Sequence, residues 1–367
     1  MKAYIYDLVA PLHLPDLDST PAWRILQKQT LKKQFPISSV ETHPNPPSEP
    51  MPPDFREEIQ RMIGRRLNQH RAAAWEDDIS RNSLDDAPFE NLPAPCEFSD
   101  EDLKGAAHTL AEELRQSILL REWADRDSLP IPSPEDREGY SRGHDAQYWL
   151  SGLNDYWKVM RMAESLGTKV ERFFDFGCAS GRVLRHVACQ SKVAQIWGSD
   201  INARHIRWLW EFMPNHVRPI ANYCLPTLPL SDASIDVVTA FSVFTHIDTF
   251  ETCWLAELNR ILRPGGMAYL TVHNEATWEA LRREIDNPNN RLVQSVLKTD
   301  PGFAEAVHKP MPDTRRVYRL TKLGPYRAQV FHSNNYLHRV WGRFFEIRKI
   351  LDCDHVRQSV VVLSPKK

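Results

Sequence analysis

Two glycines, Gly177 and Gly181, bracket three small residues, Cys178, Ala179 and Ser180, directly after an apolar run that ends in Asp175 and Phe176. With so little side chain in one turn, the backbone can approach a ligand closely, and amide N–H groups at the start of the following helix can serve an anionic or polar group. A second acid, Asp200, closes the next apolar run. A carboxylate there can accept hydrogen bonds from both hydroxyls of a ribose, so turn and acid together point to a nucleoside-containing cofactor. Spacing narrows the choice. Ala179 and Arg182 occupy the second and third glycine positions of the dinucleotide fingerprint G-x-G-x-x-G, and no Lys-Ser or Lys-Thr pair follows Gly181 as a phosphate loop requires.

Three histidines lie further along: His246 in "SVFTHID", His273 in "LTVHN" and His332 in "VFHSNNY". Imidazole titrates near neutral pH, which suits a general base or a group that positions a hydroxyl. The alternative for each is a packed core histidine. Their spacing favours no metal site, and none is expected. The six cysteines, Cys96, Cys178, Cys189, Cys224, Cys253 and Cys353, form no C-x-x-C pair. They read as reduced core or pocket residues.

The elements that must hold these groups alternate from about Lys169 onward. "VERFFDFG", "AQIWGSD", "IDVVTAFSVF" and "MAYLTVHN" are apolar runs of strand type, separated by helical segments at Arg182–Cys189, Ala203–Phe212 and Phe250–Leu262. Apolar strands separated by helices predict an α/β class fold, a doubly wound and mostly parallel sheet covered on both faces. "FFEIRKILD" and "QSVVVLSP" close the pattern as an antiparallel hairpin at a sheet edge. In such a sheet, ligands bind beyond the strand C-termini where strand order reverses, and the Gly177 turn sits at the first strand. "RPGG" at Arg263–Gly266 is a structural turn with Pro264 and Gly265 at its centre. The aromatic stripe Tyr148, Trp149, Tyr156 and Trp157 reads as helix packing, with a lid over the site as the alternative.

The turn, Asp200, "LPLSDASIDVVTAFSVFTHI" and "LAELNRILRPGGMAYLTVHN", in this order, resemble the motifs of class I S-adenosylmethionine-dependent methyltransferases. The similarity runs from about Tyr148 to Leu363 and is nearest to a bacterial subgroup associated with glycans and small molecules. It implies a Rossmann-like methyltransferase fold with an antiparallel last strand and S-adenosyl-L-methionine as cofactor. Carried over residue by residue, it implies that Gly177, Cys178, Ala179 and Gly181 face the methionine part of the cofactor, with Asp175 and Phe176 also in the cofactor site, and that Asp200 holds the ribose. Ile201 then flanks the adenine, Asn222, Tyr223 and Cys224 meet its edge, and Phe241 and Ser242 lie beneath the ligand. Ala179 replaces a commoner glycine, and Asn274 stands where the subgroup often has one. The implied reaction is O-methylation of a small molecule or saccharide, with His246, His273 and His332 as candidate bases. A methyltransferase-fold protein that binds cofactor and serves as a partner or scaffold is the alternative.

The chain outside this region is of another kind. Of its 27 prolines, 16 precede residue 136, and six crowd between Pro44 and Pro53. That stretch predicts a disordered or polyproline linker. Phe55, Ile59, Met62, Ile63 and Leu67 recur at helical spacing behind Asp54, and Leu103, Leu110, Leu114 and Ile118 predict a second helix after Ser99. The expected division is therefore a linker and helical extension over 1–135 and a methyltransferase domain over 136–367. With 46 Lys and Arg against 48 Asp and Glu, the net charge of −2 supplies no basic field for nucleic acid. No apolar run is long enough for a membrane span, and no secretory signal is evident, so a cytoplasmic location is expected.

Overall fold

The computed structural model describes residues 97–107, 110–115, 119–141, 143–222, 224–319 and 328–366. The proline-rich stretch, the helix expected from Phe55 to Leu67, Cys96, Ile118 and Tyr223 lie outside the described residues. Helices α1 (Asp100–Ala106), α2 (Glu112–Arg115) and α3 (Leu119–Asp125) lead to the long α4 (Asp145–Ser165). The alternating region then runs β1 (Arg172–Phe176), α5 (Leu184–Gln190), β2 (Gln195–Asp200), α6 (Ala203–Phe212), β3 (Val217–Ala221), β4 (Ile235–Ala240), α7 (Glu251–Ile261) and β5 (Leu262–Val272). An insertion follows: α8 (Glu275–Arg283), α9 (Arg291–Thr299), α10 (Phe303–Ala306), β6 (Arg315–Arg319) and β7 (Ala328–His332). Finally come α11 (Asn334–Val340), β8 (Phe345–His355) and β9 (Gln358–Pro365).

Seven strands form one sheet in the order β3-β2-β1-β4-β5-β9-β8. The pairs β1/β2, β2/β3, β1/β4 and β4/β5 are parallel, whereas β9 runs antiparallel to β5 and to β8. The expected antiparallel hairpin is present at the sheet edge, with β8 outermost and β9 between it and β5. Strand order reverses between β1 and β4, so their C-terminal ends open a crevice. Arg263–Gly266 loops out within β5: Ile235 pairs with Leu262, and the ladder resumes at Val237 with Met267. Gly265 takes the left-handed φ of +81° that this excursion needs.

Period-two alternation builds the two covering layers. Phe173, Val237, Tyr269 and Val360 face a core shared with α4, α5 and α6, and Phe174, Val238, Leu270 and Val361 face one shared with α7 and α11. A third, separate core of Trp278, Leu281, Val293, Val296, Phe303, Tyr318 and Phe331 belongs to the insertion. Nothing in the strand and helix pattern of the sequence marked this insertion.

The single helix expected after Ser99 is interrupted at Leu110 and Ala111, between α1 and α2. Ser99 does cap α1, accepting from the Asp102 amide at 3.1 Å while the Asp102 carboxylate accepts from the Ser99 amide at 2.9 Å. Leu103, Leu110 and Leu114 are buried in the same core as Trp149 and Val187. Asp127 ties this segment to α5: Arg185 Nε donates to it at 2.7 Å, Arg185 Nη2 at 3.0 Å and Trp149 Nε1 at 2.7 Å. Burial opposes the charge on Asp127, yet the Arg185 guanidinium holds its carboxyl below the usual range.

Candidate active site

The turn after β1 is tied to β2 by its backbone. The Gly177 and Cys178 amides donate to the Ser199 carbonyl at 2.7 and 2.9 Å. The Asp200 carboxylate accepts from the Ala179 amide at 2.8 Å and from the Asn202 amide at 2.8 Å, one oxygen each. Gly177 has φ +76°, and a Cβ there would fall 2.3 Å from Val243 Cγ2. Gly181 has φ +81°, and its Cβ would fall 2.7 Å from Leu209 Cδ2. Both glycines are thus demanded by left-handed backbone and by packing, where the sequence suggested room for a ligand. Ala179 holds φ +45° despite its methyl group.

Above the turn lies a cavity of about 1150 Å³. Phe176, Gly177 and Ala179 line it from the turn, Asp200 and Ile201 from the end of β2, Asn222 and Cys224 from beyond β3, and Phe241 and Ser242 from beyond β4. Three expected members stand behind this wall. Asp175 is buried and accepts from Thr239 Oγ1 at 2.6 Å, with burial raising its carboxyl to about 7. Cys178 turns its sulfur toward Gly198, where an added Cβ would meet it at 2.9 Å, and burial pushes its thiol well up. Gly181 packs under α6. These three shape the turn without lining the cavity.

The residues on the wall fit a nucleoside cofactor. Each Asp200 oxygen spends one lone pair on a backbone amide and keeps capacity for a hydroxyl, which matches a vicinal diol. Ile201 offers an apolar face beside it.

The three histidines separate. His246 lines the cavity, and its Nδ1 lies 2.8 Å from the Ala328 carbonyl, which can only accept. The Nδ1 proton is therefore fixed there and the lone pair falls on Nε2. Burial lowers its pKa, partly offset by this bond. His273 also lines the cavity, 5.1 Å from the Phe331 ring, with burial pushing it down to about 3. His332 does not reach the cavity. It is fully buried, with Nε2 3.1 Å from Glu251 Oε1 and its ring edge-on to Trp341. Glu251 also contacts Arg315 at 2.7 Å and accepts from Trp341 Nε1 at 2.5 Å. Burial works against the Glu251 charge, but His332 and Arg315 hold its carboxyl down at about 2. His332 thus serves an internal polar cluster rather than a substrate. Among the described residues, no group of three or more His, Cys, Asp or Glu is arranged to hold a metal ion.

Sequence reasoning missed a polar cluster on the cavity wall beside Ser242. Tyr140, Asp155, Arg182, His355 and Gln358 all line the cavity. Tyr140 Oη lies 2.9 Å from Ser242 Oγ and 3.1 Å from His355 Nε2, and His355 Nδ1 lies 3.2 Å from Asp155 Oδ1. Arg182 Nη2 donates to Asp155 Oδ2 at 2.6 Å, and its guanidinium lies 4.1 Å above the Tyr140 ring. One signal was available: Asp155 is a lone acid within the aromatic stripe of α4. Of that stripe, Tyr148, Trp149 and Tyr156 are core residues and none lines the cavity. Asn274 is also off the wall. It caps α8 through the Ala276 amide at 3.0 Å and donates to Asp352 at 2.9 Å.

Residues 174–270, from β1 to within β5, match a family model described as a methyltransferase domain. A comparison with curated proteins finds no match. Solved structures similar to the chain include a SAM-dependent methyltransferase from Methanosarcina mazei, 16% identical, covering 54% of this chain and 95% of that one, with a TM-score of 0.38. A second is 1,6-didemethyltoxoflavin-N1-methyltransferase from Burkholderia thailandensis, 12% identical, covering 65% and 92%, with a TM-score of 0.39. A third, a SAM-dependent methyltransferase from Aquifex aeolicus, is 12% identical over 64% and 100%, with a TM-score of 0.40.

Proposed function

We propose that this enzyme, a class I S-adenosylmethionine-dependent methyltransferase, methylates a hydroxyl group of a small molecule or saccharide. When bound, the cofactor supplies an electrophilic methyl, so the chain itself has to position the nucleophile, exclude water and take up a proton. The observation that carries the cofactor site is the Asp200 carboxylate, fixed at the cavity wall by the Ala179 and Asn202 amides. In that site Asp200 takes the ribose, Ile201, Asn222 and Cys224 surround the adenine, and Gly177, Ala179 and Ser242 border the methionine and sulfur.

The acceptor then lies toward His246, His273 and the insertion, whose Asn289, Leu292 and Ser295 line the same cavity. His246 lines the acceptor side of the cavity and positions the acceptor through a polar group other than the hydroxyl that is methylated. Its lowered pKa makes it a weak store for a proton at neutral pH, and the same holds for His273. Residues 136–367 make up the catalytic domain, and the described residues from 97 to 135 pack onto it. The test is direct: incubate the protein with methyl-labelled S-adenosylmethionine and a metabolite extract, beside protein and nucleic-acid fractions. Label in a hydroxyl-bearing small molecule supports the proposal. Label confined to protein or nucleic acid refutes it, and cofactor binding with no transfer favours a scaffold role.

A further inference from the structure

We propose that Tyr140, His355 and Asp155 form a proton-transfer chain along one wall of the cavity, with Tyr140 taking the proton from a hydroxyl acceptor and His355 storing it. The chain rests on the methyl-transfer function proposed above and supplies the proton acceptor that His246 and His273 do not.

Its direction follows from the end that can only accept. An ionised carboxylate has no proton to give, so Asp155 Oδ1, 3.2 Å from His355 Nδ1, fixes the proton of the neutral ring on Nδ1 and the lone pair on Nε2. Tyr140 Oη, 3.1 Å from Nε2, therefore donates to it. The Tyr140 oxygen keeps its lone pairs for Ser242 Oγ at 2.9 Å and for a hydroxyl in the cavity. As the acceptor O–H gives its proton to Tyr140 Oη, the Tyr140 proton passes to His355 Nε2. The electron pair left on the acceptor oxygen forms the bond to the methyl carbon, and the pair of the broken carbon–sulfur bond stays on sulfur. His355 becomes an imidazolium facing Asp155.

The surroundings suit this transfer. Arg182 donates to Asp155 Oδ2 at 2.6 Å, and although burial opposes the charge, His355 and Arg182 keep the Asp155 carboxyl well below the usual range. The same guanidinium, 4.1 Å over the Tyr140 ring, fixes the ring's plane and counters the burial that raises the phenol. Other charged or titratable groups near the cluster include Tyr148 and Lys158 of α4, Asp175 of β1, Tyr269 of β5 and Asp354 of β8. Lys158 and Tyr269 are both spent on Asp354, at 2.9 and 3.0 Å. Asp155 and His355 come from elements far apart in sequence, so the cluster exists only in the folded chain.

The decisive measurement is histidine ¹⁵N NMR on the full chain saturated with S-adenosylhomocysteine, which has no methyl to transfer. The neutral His355 ring should carry its proton on Nδ1, and its Nε2 signal should move in Tyr140→Phe. The other tautomer of the neutral ring, with its proton on Nε2, overturns the chain. With an acceptor identified by labelling, Tyr140→Phe and His355→Gln should each lower kcat by about 10²–10⁴-fold and remove the acidic limb of the pH–rate profile. Calorimetric affinity for S-adenosylhomocysteine should stay within about threefold. Turnover with the limb intact overturns the chain, as does a loss of affinity equal to the loss of rate, which would reduce the cluster to cofactor binding. Wild-type protein that fails to bind S-adenosylhomocysteine removes the methyltransferase function and the chain together, whereas binding with the wrong tautomer removes the chain alone.

Discussion

Asp200 and Ala179 are joined by a hydrogen bond of 2.8 Å from the alanine amide to one carboxylate oxygen, which locks the second strand's acid to the first strand's turn. In the proposed cofactor site, one side chain thereby sets both the ribose contact and the floor beneath it. Asp200→Ala should weaken binding of S-adenosylhomocysteine by about 1–3 kcal/mol through lost hydrogen bonds. Isothermal calorimetry checks this, with melting temperature recorded beside it to separate loss of the turn from loss of the ligand contact. Unchanged affinity would remove Asp200 from the site.

Gly177→Ala places a methyl group 2.3 Å from Val243 Cγ2 on a backbone at φ +76°. The left-handed conformation alone costs roughly 1–2 kcal/mol, and the overlap adds to it. Pairing it with Val243→Ala should recover the overlap but not the backbone part. A double-mutant cycle by urea unfolding reads the coupling, and simple additivity would contradict the contact.

Ala179→Gly is expected to act in the opposite direction. At φ +45° the alanine already bears left-handed strain, so glycine should stabilise the turn by about 1 kcal/mol, less its own entropy cost. A lower denaturation midpoint would show that the alanine methyl makes a packing contribution larger than the strain.

Asp175 gives a pH signature of definite sign. Its folded carboxyl is raised to about 7 from 3.8, chiefly by burial. Between about pH 4 and 7 the unfolded chain loses this proton and the folded chain keeps it, so Asp175 takes stability away as pH rises through that window and adds no further penalty above it. Asp175→Asn removes the effect. The variant should gain on wild type by at most roughly 1.4 kcal/mol per pH unit up to pH 7 and then hold level. Urea unfolding at pH 5, 6, 7 and 8 reads it, and a constant difference would contradict the raised value.

His246→Gln tests a positioning role on the acceptor side. KM for the acceptor should rise about tenfold or more, with the acidic limb of the pH–rate profile kept and cofactor affinity nearly unchanged. Loss of the limb would make His246 the base.

Most of the sheet was legible in the sequence because its strands carry apolar runs of their own; β3 was not, since Arg218 and Pro219 interrupt it. The turn was legible because one helix and one strand separate the Gly177–Gly181 pair from Asp200. The packing that requires those glycines was not legible. The atoms that require them, Val243 and Leu209, come from later elements whose approach no local pattern reveals. His332 was misassigned for a similar reason: its position after a strand resembles that of His273, and only the fold turns it toward Glu251. Tyr140 and His355 were invisible, since the first lies in a polar connection and the second at the tip of a hairpin, and they meet only when β8 closes the sheet.

The placement of β9 bears on how the chain reaches this state. Ala268 to Val272 of β5 are buried residues, all but Thr271 apolar, whose edge stays unpaired until Ser359 to Leu363 arrive, after the insertion and β8 have been made. During synthesis on the ribosome this edge is exposed for the time taken to translate everything between, a period in which open apolar strands recruit one another. Poor yield at high expression rate, relieved by slower translation or lower temperature, is the practical outcome to expect from this strand order.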